Sequence, residues 1–232
     1  MKAMILAAGL GTRMQPLTND TPKPLLKAGG RSLIEYHILN LAAAGVTDIV
    51  INHFYLGAKI EQALGDGRTY GVRIVYSPES ERMETAGGII RALPLLGDDS
   101  FIVVSGDIWT EFPFASLTPV DGDKVLGRLV MVNNPEHHSG GDFHIDQSGI
   151  LSRPPEGSDI PCLTYSGVSV MHPKLFLGYR EAPLPLRPVL LAAMLQRQLQ
   201  GQLYTGPWLD IGTPARLHDL DRTLAGRTRI TC

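Results

Sequence analysis

The sequence predicts an α/β fold, a mostly parallel sheet with helices on both faces and antiparallel additions late in the chain. Three observations carry that expectation. Apolar runs of strand length alternate with helix-length segments through the first half, as in the strand–helix–strand units of parallel sheets. A glycine-rich turn follows the first run, at the edge where such sheets hold ligands. With 232 residues and a 44% hydrophobic composition, the chain can bury the core of one such domain, residues 1–232.

Taken in order, residues 1–7 form the first strand, apolar and too short for a helix. Ser32-Leu33-Ile34-Glu35 is a capping box opening an apolar-rich helix that ends at Ala44-Gly45. Residues 48–52 read as a second strand, 56–64 as a helix closed by Gly65, and 73–76 as a third strand. The turn Glu84-Thr85-Ala86-Gly87-Gly88 leads into a helix over 89–96, and 101–105 is a buried fourth strand. Past Pro113 the texture changes, which divides the domain into halves of about 1–112 and 113–232. Short β runs at 124–132, 143–145, 150–151 and 166–171 are separated by Gly, Pro, Asp and His turns. Helices are expected over 174–179 and 188–199, with Pro183, Pro185 and Pro188 making the link irregular. A last helix runs over 214–224, with Thr213 as its cap.

The turn after the first strand carries the chemistry. Gly9 and Gly11 let backbone approach a ligand closely, because glycine tolerates positive φ and has no side chain in the way. Arg13 adds a permanent fork of donors, and Lys23 a point charge clamped between Pro22 and Pro24. That is a phosphate-binding arrangement. It is not a P-loop, since no Gly-Lys-Ser/Thr end follows Gly11. Nor is it the dinucleotide fingerprint, because Met14 takes the third glycine's place and Asn52-His53 stands where an acid is needed.

Two acids stand out elsewhere. Asp107 follows the apolar fourth strand through Ser105-Gly106 and emerges at the sheet's ligand edge. Asp210 sits within Trp208-Leu209-Asp210-Ile211, where a lone carboxylate is costly unless paired with a cation. Two such carboxylates suit Mg²⁺, which takes few protein oxygens and completes its shell with water and phosphate. His137 and His138, as chain neighbours, point to opposite faces if extended and read as a polar loop rather than a metal pair. No nucleophile motif is present, and Cys162 and Cys232 have no metal or disulfide framework around them.

The run Leu6-Ala7-Ala8-Gly9-Leu10-Gly11-Thr12-Arg13-Met14-Gln15-Pro16-Leu17-Thr18, followed by Pro22-Lys23-Pro24-Leu25, resembles the sugar-1-phosphate nucleotidylyltransferases. Gly106-Asp107 and Trp208-Leu209-Asp210-Ile211-Gly212-Thr213-Pro214 match two further family motifs in the expected order, so the resemblance spans about 1–220. It implies a Rossmann-like fold of the nucleotide-diphospho-sugar transferase type. It also implies a reaction in which a sugar 1-phosphate oxygen attacks the α-phosphate of an NTP and releases pyrophosphate. Ala8, Gly9, Gly11 and Thr12 would line the triphosphate, with Arg13 on the leaving pyrophosphate and Lys23 between the reacting phosphates. Asp107 and Asp210 would hold Mg²⁺ as Lewis acid and template.

The Glu84-Thr85-Ala86-Gly87-Gly88 turn would read the base, in a manner closer to uridylyl- and thymidylyltransferases than to guanylyltransferases, so UTP is expected, and Thr85, Ala86, Gly87 and Ser105 are expected to bind the nucleotide. Gly141, Asp142 and Arg153 are expected on the sugar side. Many relatives carry Glu-Lys-Pro where Ser152-Arg153-Pro154 stands here, so the family's acid is missing and an anionic sugar is favoured electrostatically. The short length and the 134–143 region resemble family members acting on N-acetylmuramic acid 1-phosphate in cell-wall recycling. Other sugar 1-phosphates, and a non-catalytic nucleotide-sugar sensor, are the alternatives. A net charge of −2 argues against nucleic acid as a partner. No apolar run approaches a membrane span and no leader is visible, so a cytoplasmic location is expected.

Overall fold

In the computed structural model, which describes residues 1–230, three strands of the first half run parallel beside β1 (Ala3–Leu6). These are β4 (Asp48–His53), β5 (Arg73–Pro78) and β6 (Phe101–Ser105). Two two-residue strands, β2 (Lys27–Ala28) and β3 (Arg31–Ser32), form a hairpin ahead of the first helix, α1 (Leu33–Ala43). The main sheet has seven strands in the order β12-β8-β11-β6-β1-β4-β5. Its remaining members come from the second half: β8 (Gly127–Val132), β11 (Thr164–Met171) and β12 (Leu199–Tyr204). Only β11 runs against its neighbours β6 and β8; β12 is parallel to β8.

Alternation along the strands sends side chains to two cores. Ala3, Ile5, Ile102 and Val104 join Ile34, Ile38 and Leu41 of α1 (Leu33–Ala43) and Ile60 and Leu64 of α2 (Gly57–Leu64) on one face. Met4, Phe101 and Val103 meet Ile89, Ala92 and Leu96 of α3 (Glu84–Leu96) and Val189, Leu190 and Met194 of α4 (Leu186–Leu195) on the other. Helices therefore cover both faces. The α1 capping box forms, the Glu35 carboxylate accepting the Ser32 amide at 2.8 Å.

Several boundaries differ from the sequence expectation, each for a local reason. The α3 helix begins at Glu84 rather than 89, so the predicted turn is its first turn. β8 starts at Gly127 rather than 124, because Asp121 Oδ1 accepts the amides of Asp123, Lys124 and Val125 and holds that stretch as a turn. The 174–179 helix is only a short 3₁₀ turn, Pro173–Phe176, stopped before Gly178 at φ 85°. The α4 helix ends at Leu195, freeing residues from Leu199 onward to become β12. The last helix, α5 (Pro214–Ile230), runs beyond 224. Cys232 lies outside the described residues. No helix among the described residues is long and apolar enough to cross a membrane.

A third core gathers the elements that carry the site. Met14, Leu26, Ala28 and Leu33 pack with Trp109, Ile211, Leu217 and Leu220. This ties the glycine loop to a two-stranded ribbon, β7 (Ile108–Thr110) with β13 (Trp208–Asp210), and to α5. Full burial of Met14 stabilises this junction by about 1.5–3 kcal/mol.

Beneath the ribbon, His37 of α1 is fully buried and its Nε2–H donates to the Ile108 carbonyl at 2.9 Å. Its Nδ1 has no hydrogen-bond partner among the described residues. Burial pushes its pKa from 6.5 down to about 4, so it sits neutral under Asp107. The unfolded chain takes up the proton first, so this contribution to stability is fully present above pH 6.5 and is lost as pH falls toward 4. The expected slope is at most about 1.4 kcal/mol per pH unit. Denaturant midpoints measured between pH 4.5 and 7 should show a shallower slope in His37→Gln than in the wild type. Identical slopes would remove His37 as the cause.

Candidate active site

The glycine loop turns because of three local constraints. Gly11 has φ 65°, and a side chain there would meet Thr18 Cγ2 at 2.9 Å. Thr18 Oγ1 donates back to the Gly11 carbonyl at 2.8 Å. Met14 anchors the far end in the third core. The amides of the loop are thereby presented to a cavity of about 350 Å³.

Ala8, Gly9, Gly11, Thr12, Arg13, Lys23, Thr85, Ser105 and Asp107, all expected from the sequence, line that cavity. Lys23 is 8% exposed and opens a short 3₁₀ turn between its two prolines. Its Nζ lies 2.8 Å from Asp107 Oδ2. Gly106 makes this approach possible: its amide bonds the Leu6 carbonyl at 2.9 Å, and a Cβ would come within 2.6 Å of that oxygen. Arg13 is exposed and has no ion-pair partner among the described residues.

Asp210 stands on the ribbon, its backbone opposite Ile108, while the Ile211 amide bonds the Asp107 carbonyl at 3.0 Å. It does not line the cavity itself. Gly212 does, and a Cβ there would sit 3.2 Å from Asp210 Oδ2, so the absent side chain leaves the carboxylate approachable. Arg216 Nη1 at 2.7 Å and His137 Nε2 at 3.3 Å face the same oxygen. Both acids thus draw cations, Lys23 on one and Arg216 on the other. Among the described residues no group of three or more His, Cys, Asp or Glu side chains could hold a metal. The donor set, two carboxylates beside a phosphate-binding loop, fits Mg²⁺, which needs one or two protein oxygens and takes others from phosphate. It does not fit a closed zinc site.

The base-side turn is built differently from expectation. The amides of Ala86 and Gly87 both donate to the Leu184 carbonyl, at 2.9 and 3.1 Å, and neither residue lines the cavity. Gly87 and Gly88 are needed for close packing: side chains there would meet Ala182 O at 2.3 Å and Glu79 Oε1 at 2.5 Å. The residues facing the cavity are Thr85 and Glu84. Glu84 holds φ 58°, a strained conformation of the kind kept at binding sites, and pairs with Arg82 at 3.0 Å. Behind them runs a buried chain that the sequence reading missed. Asn52 Oδ1 accepts the Ala7 amide at 3.0 Å, its Nδ2 donates to Glu79 Oε1 at 2.7 Å, and Glu79 Oε2 accepts the Met83 amide at 3.2 Å. Burial raises the Glu79 carboxyl pKa. Asn52 fills the place where an acid was sought, and it fixes the glycine loop to the base-side turn.

A second cavity, of about 300 Å³, shares Leu6, Glu84, Thr85 and Ser105 with the first. Its other walls include Asp142, Phe143, Tyr165, Pro185, Leu186, Arg187 and Leu190. A bulge in β11 between Tyr165 and Ser169 shapes it. Gly167 there has φ 84°, and a side chain would meet Ser105 Oγ at 2.7 Å. Asp142 accepts the Tyr165 amide at 3.0 Å and faces His138 Nε2 at 3.3 Å. The adjacent histidines 137 and 138 thus serve two different carboxylates. Burial pushes the Tyr165 phenol up to about 12, and its hydroxyl pairs with Ser169 Oγ at 2.9 Å.

Gly141, at φ 61° against the Cys162 carbonyl, positions Asp142 without lining the cavity. Arg153 directly follows the small ladder of β9 (His144–Ile145) and β10 (Leu151–Ser152). Its Nη1 donates to the Asp142 carbonyl at 2.6 Å, and it lines neither cavity. Arg187, which no motif marked, lines the second cavity, and Arg216, likewise unmarked, pairs with Asp210.

A glycine loop, a nearly buried lysine and Asp107 on one cavity, Asp210 beside it and a second cavity adjoining make an arrangement suited to nucleotidyl transfer. The chain belongs to the nucleotidyl transferase family, whose model matches residues 2–137. It is similar to the N-acetylmuramate alpha-1-phosphate uridylyltransferase of Neisseria meningitidis serogroup B, 48% identical over 97% of this chain and 99% of that protein. The protein of the same name from Caulobacter vibrioides is 34% identical, with 91% and 92% covered. In fold it is similar to the crystal structure of a putative glucose-1-phosphate thymidylyltransferase from Bacillus anthracis. The TM-score is 0.82 at 21% identity, covering 97% of this chain and 95% of that one.

Proposed function

We propose that the protein transfers the uridylyl group of UTP to N-acetylmuramic acid 1-phosphate, releasing pyrophosphate and forming the nucleotide sugar, as a step of cell-wall recycling. The observation that carries this reading is the full-length 48% identity to the Neisseria enzyme, with the phosphate loop, Lys23, Asp107 and Asp210 all present. A sensor has no need of that constellation.

The sugar phosphate is already an anion at neutral pH, so the attack requires no general base. The described site offers none poised for one: His37 is buried beneath the ribbon, away from both cavities, and His137 and His138 face carboxylates. Catalysis rests on positioning and charge neutralisation. The loop amides and Arg13 bind the triphosphate, and Lys23 holds its charge where the two phosphates meet. The Asn52–Glu79 chain keeps the loop and the base-side turn in register. Asp107 and Asp210 would hold Mg²⁺, which supplies charge neutralisation at the phosphate oxygens when bound.

The test is a matrix of UTP, dTTP, CTP and GTP against the 1-phosphates of N-acetylmuramic acid, N-acetylglucosamine, glucose and mannose, read by pyrophosphate release. UTP with N-acetylmuramic acid 1-phosphate should have the highest kcat/KM. A higher value for any other pair, such as GTP with mannose 1-phosphate, would replace this reading.

A further inference from the structure

The second cavity is walled mostly by apolar groups, from Leu6, Phe143, Pro185, Leu186 and Leu190, and contains three charged side chains. Two of them are committed. Glu84 pairs with Arg82, and Asp142 is held by the Tyr165 amide with His138 facing its other oxygen. Arg187 is the third, and the only basic side chain among the described residues that line this cavity. Its nearest acid, Asp142 Oδ1, stands 3.6 Å from Nη1, beyond hydrogen-bond distance, and half of the side chain is exposed. The guanidinium therefore reaches the cavity with its fork of donors unspent.

Its place in the chain argues against a purely structural role. Arg187 is the second residue of α4, where the helix dipole disfavours a positive charge. It lies far in sequence from the acid it faces, and that acid already faces the His138 imidazole and accepts the Tyr165 amide. A planar fork at the wall of an otherwise apolar pocket is matched by a carboxylate, which it can grip with two parallel bonds.

We infer that Arg187 is a specificity-determining residue that binds the lactyl carboxylate of the acceptor sugar, selecting an acidic sugar 1-phosphate over its neutral counterpart. This rests on the proposed function, because the second cavity is read as the acceptor site. N-acetylglucosamine 1-phosphate is the fitting comparison, since it differs from the acidic sugar by lacking the lactyl group. The inference moves the cation of sugar choice from Arg153, which the sequence suggested, to Arg187.

The experiment measures kcat and KM with UTP and each of the two sugars, for the wild type and for Arg187→Gln, Arg187→Lys and Arg153→Gln. Arg187→Gln should lower the acid-over-neutral preference in kcat/KM by ~10- to 100-fold, mostly through KM for the acidic sugar. Arg187→Lys, with the charge but not the fork, should fall between. Equal losses on both sugars in Arg187→Gln would mean a structural or phosphate-binding role and would overturn the inference. A preference that survives Arg187→Gln but collapses in Arg153→Gln would overturn it in favour of Arg153. If the wild type itself lacks the preference, the proposed function fails, and this inference with it. If the wild type has the preference and Arg187→Gln keeps it, only the inference fails.

Discussion

Lys23→Ala should lower kcat by roughly 10²- to 10³-fold, the scale set by removing one preorganised charge stabiliser from a reaction centre. Lys23 is nearly buried, its backbone is held by Pro22 and Pro24, and its ammonium is fixed 2.8 Å from Asp107. A charge held in that way needs no reorganisation as negative charge builds on the pentavalent phosphorus. The loss therefore falls on kcat rather than on ground-state affinity. Arg13 differs: it is exposed on the loop, and Arg13→Ala should raise KM for the triphosphate as well. Initial rates over a range of UTP at saturating sugar phosphate separate the two. If Lys23→Ala raises KM with kcat intact, its role is reduced to ground-state binding.

The second large effect is the loss of most turnover, again about 10²- to 10³-fold, in Asp107→Asn and in Asp210→Asn. Each substitution removes a charge while keeping the shape of the side chain. The Asp107 side chain is 43% exposed, so the fold should survive its change, and thermal melts provide the check. Asp210→Asn leaves Arg216 facing a neutral amide, so a modest loss of stability accompanies the loss of rate. Residual activity should also need more Mg²⁺ for half-saturation in both variants. Full activity in excess chelator would remove the metal from the mechanism.

Local constraints were legible in the chain itself. The Gly11 turn, the proline clamp on Lys23, the Ser32–Glu35 capping box and the apolar strands 101–105 act within a few residues and leave a pattern there. The motifs around Asp107 and Asp210 were legible through their resemblance to those of the family, being short and contiguous. The nucleotide-side loop residues accordingly line one cavity, except that Ala86 and Gly87 turned out to be packing positions, their amides taken by Leu184.

What the local pattern could not specify was contact between distant segments. Leu199–Tyr204 became a sheet strand only because β8 offers it an edge, and Gly201 lets Ile145 and Leu151 close over it. The Asn52–Glu79 chain, the Arg216 and His137 contacts to Asp210, and Arg187 on the second cavity all join segments that no short-range motif links. The sequence alone determined the fold class, because backbone dihedral preferences and alternating hydrophobicity act locally, and its contiguous motifs carried the family resemblance that implies the reaction type. Only the tertiary structure decided which cation lines the second cavity, Arg187 rather than Arg153, because the end point of a long side chain depends on the path of the whole chain around it.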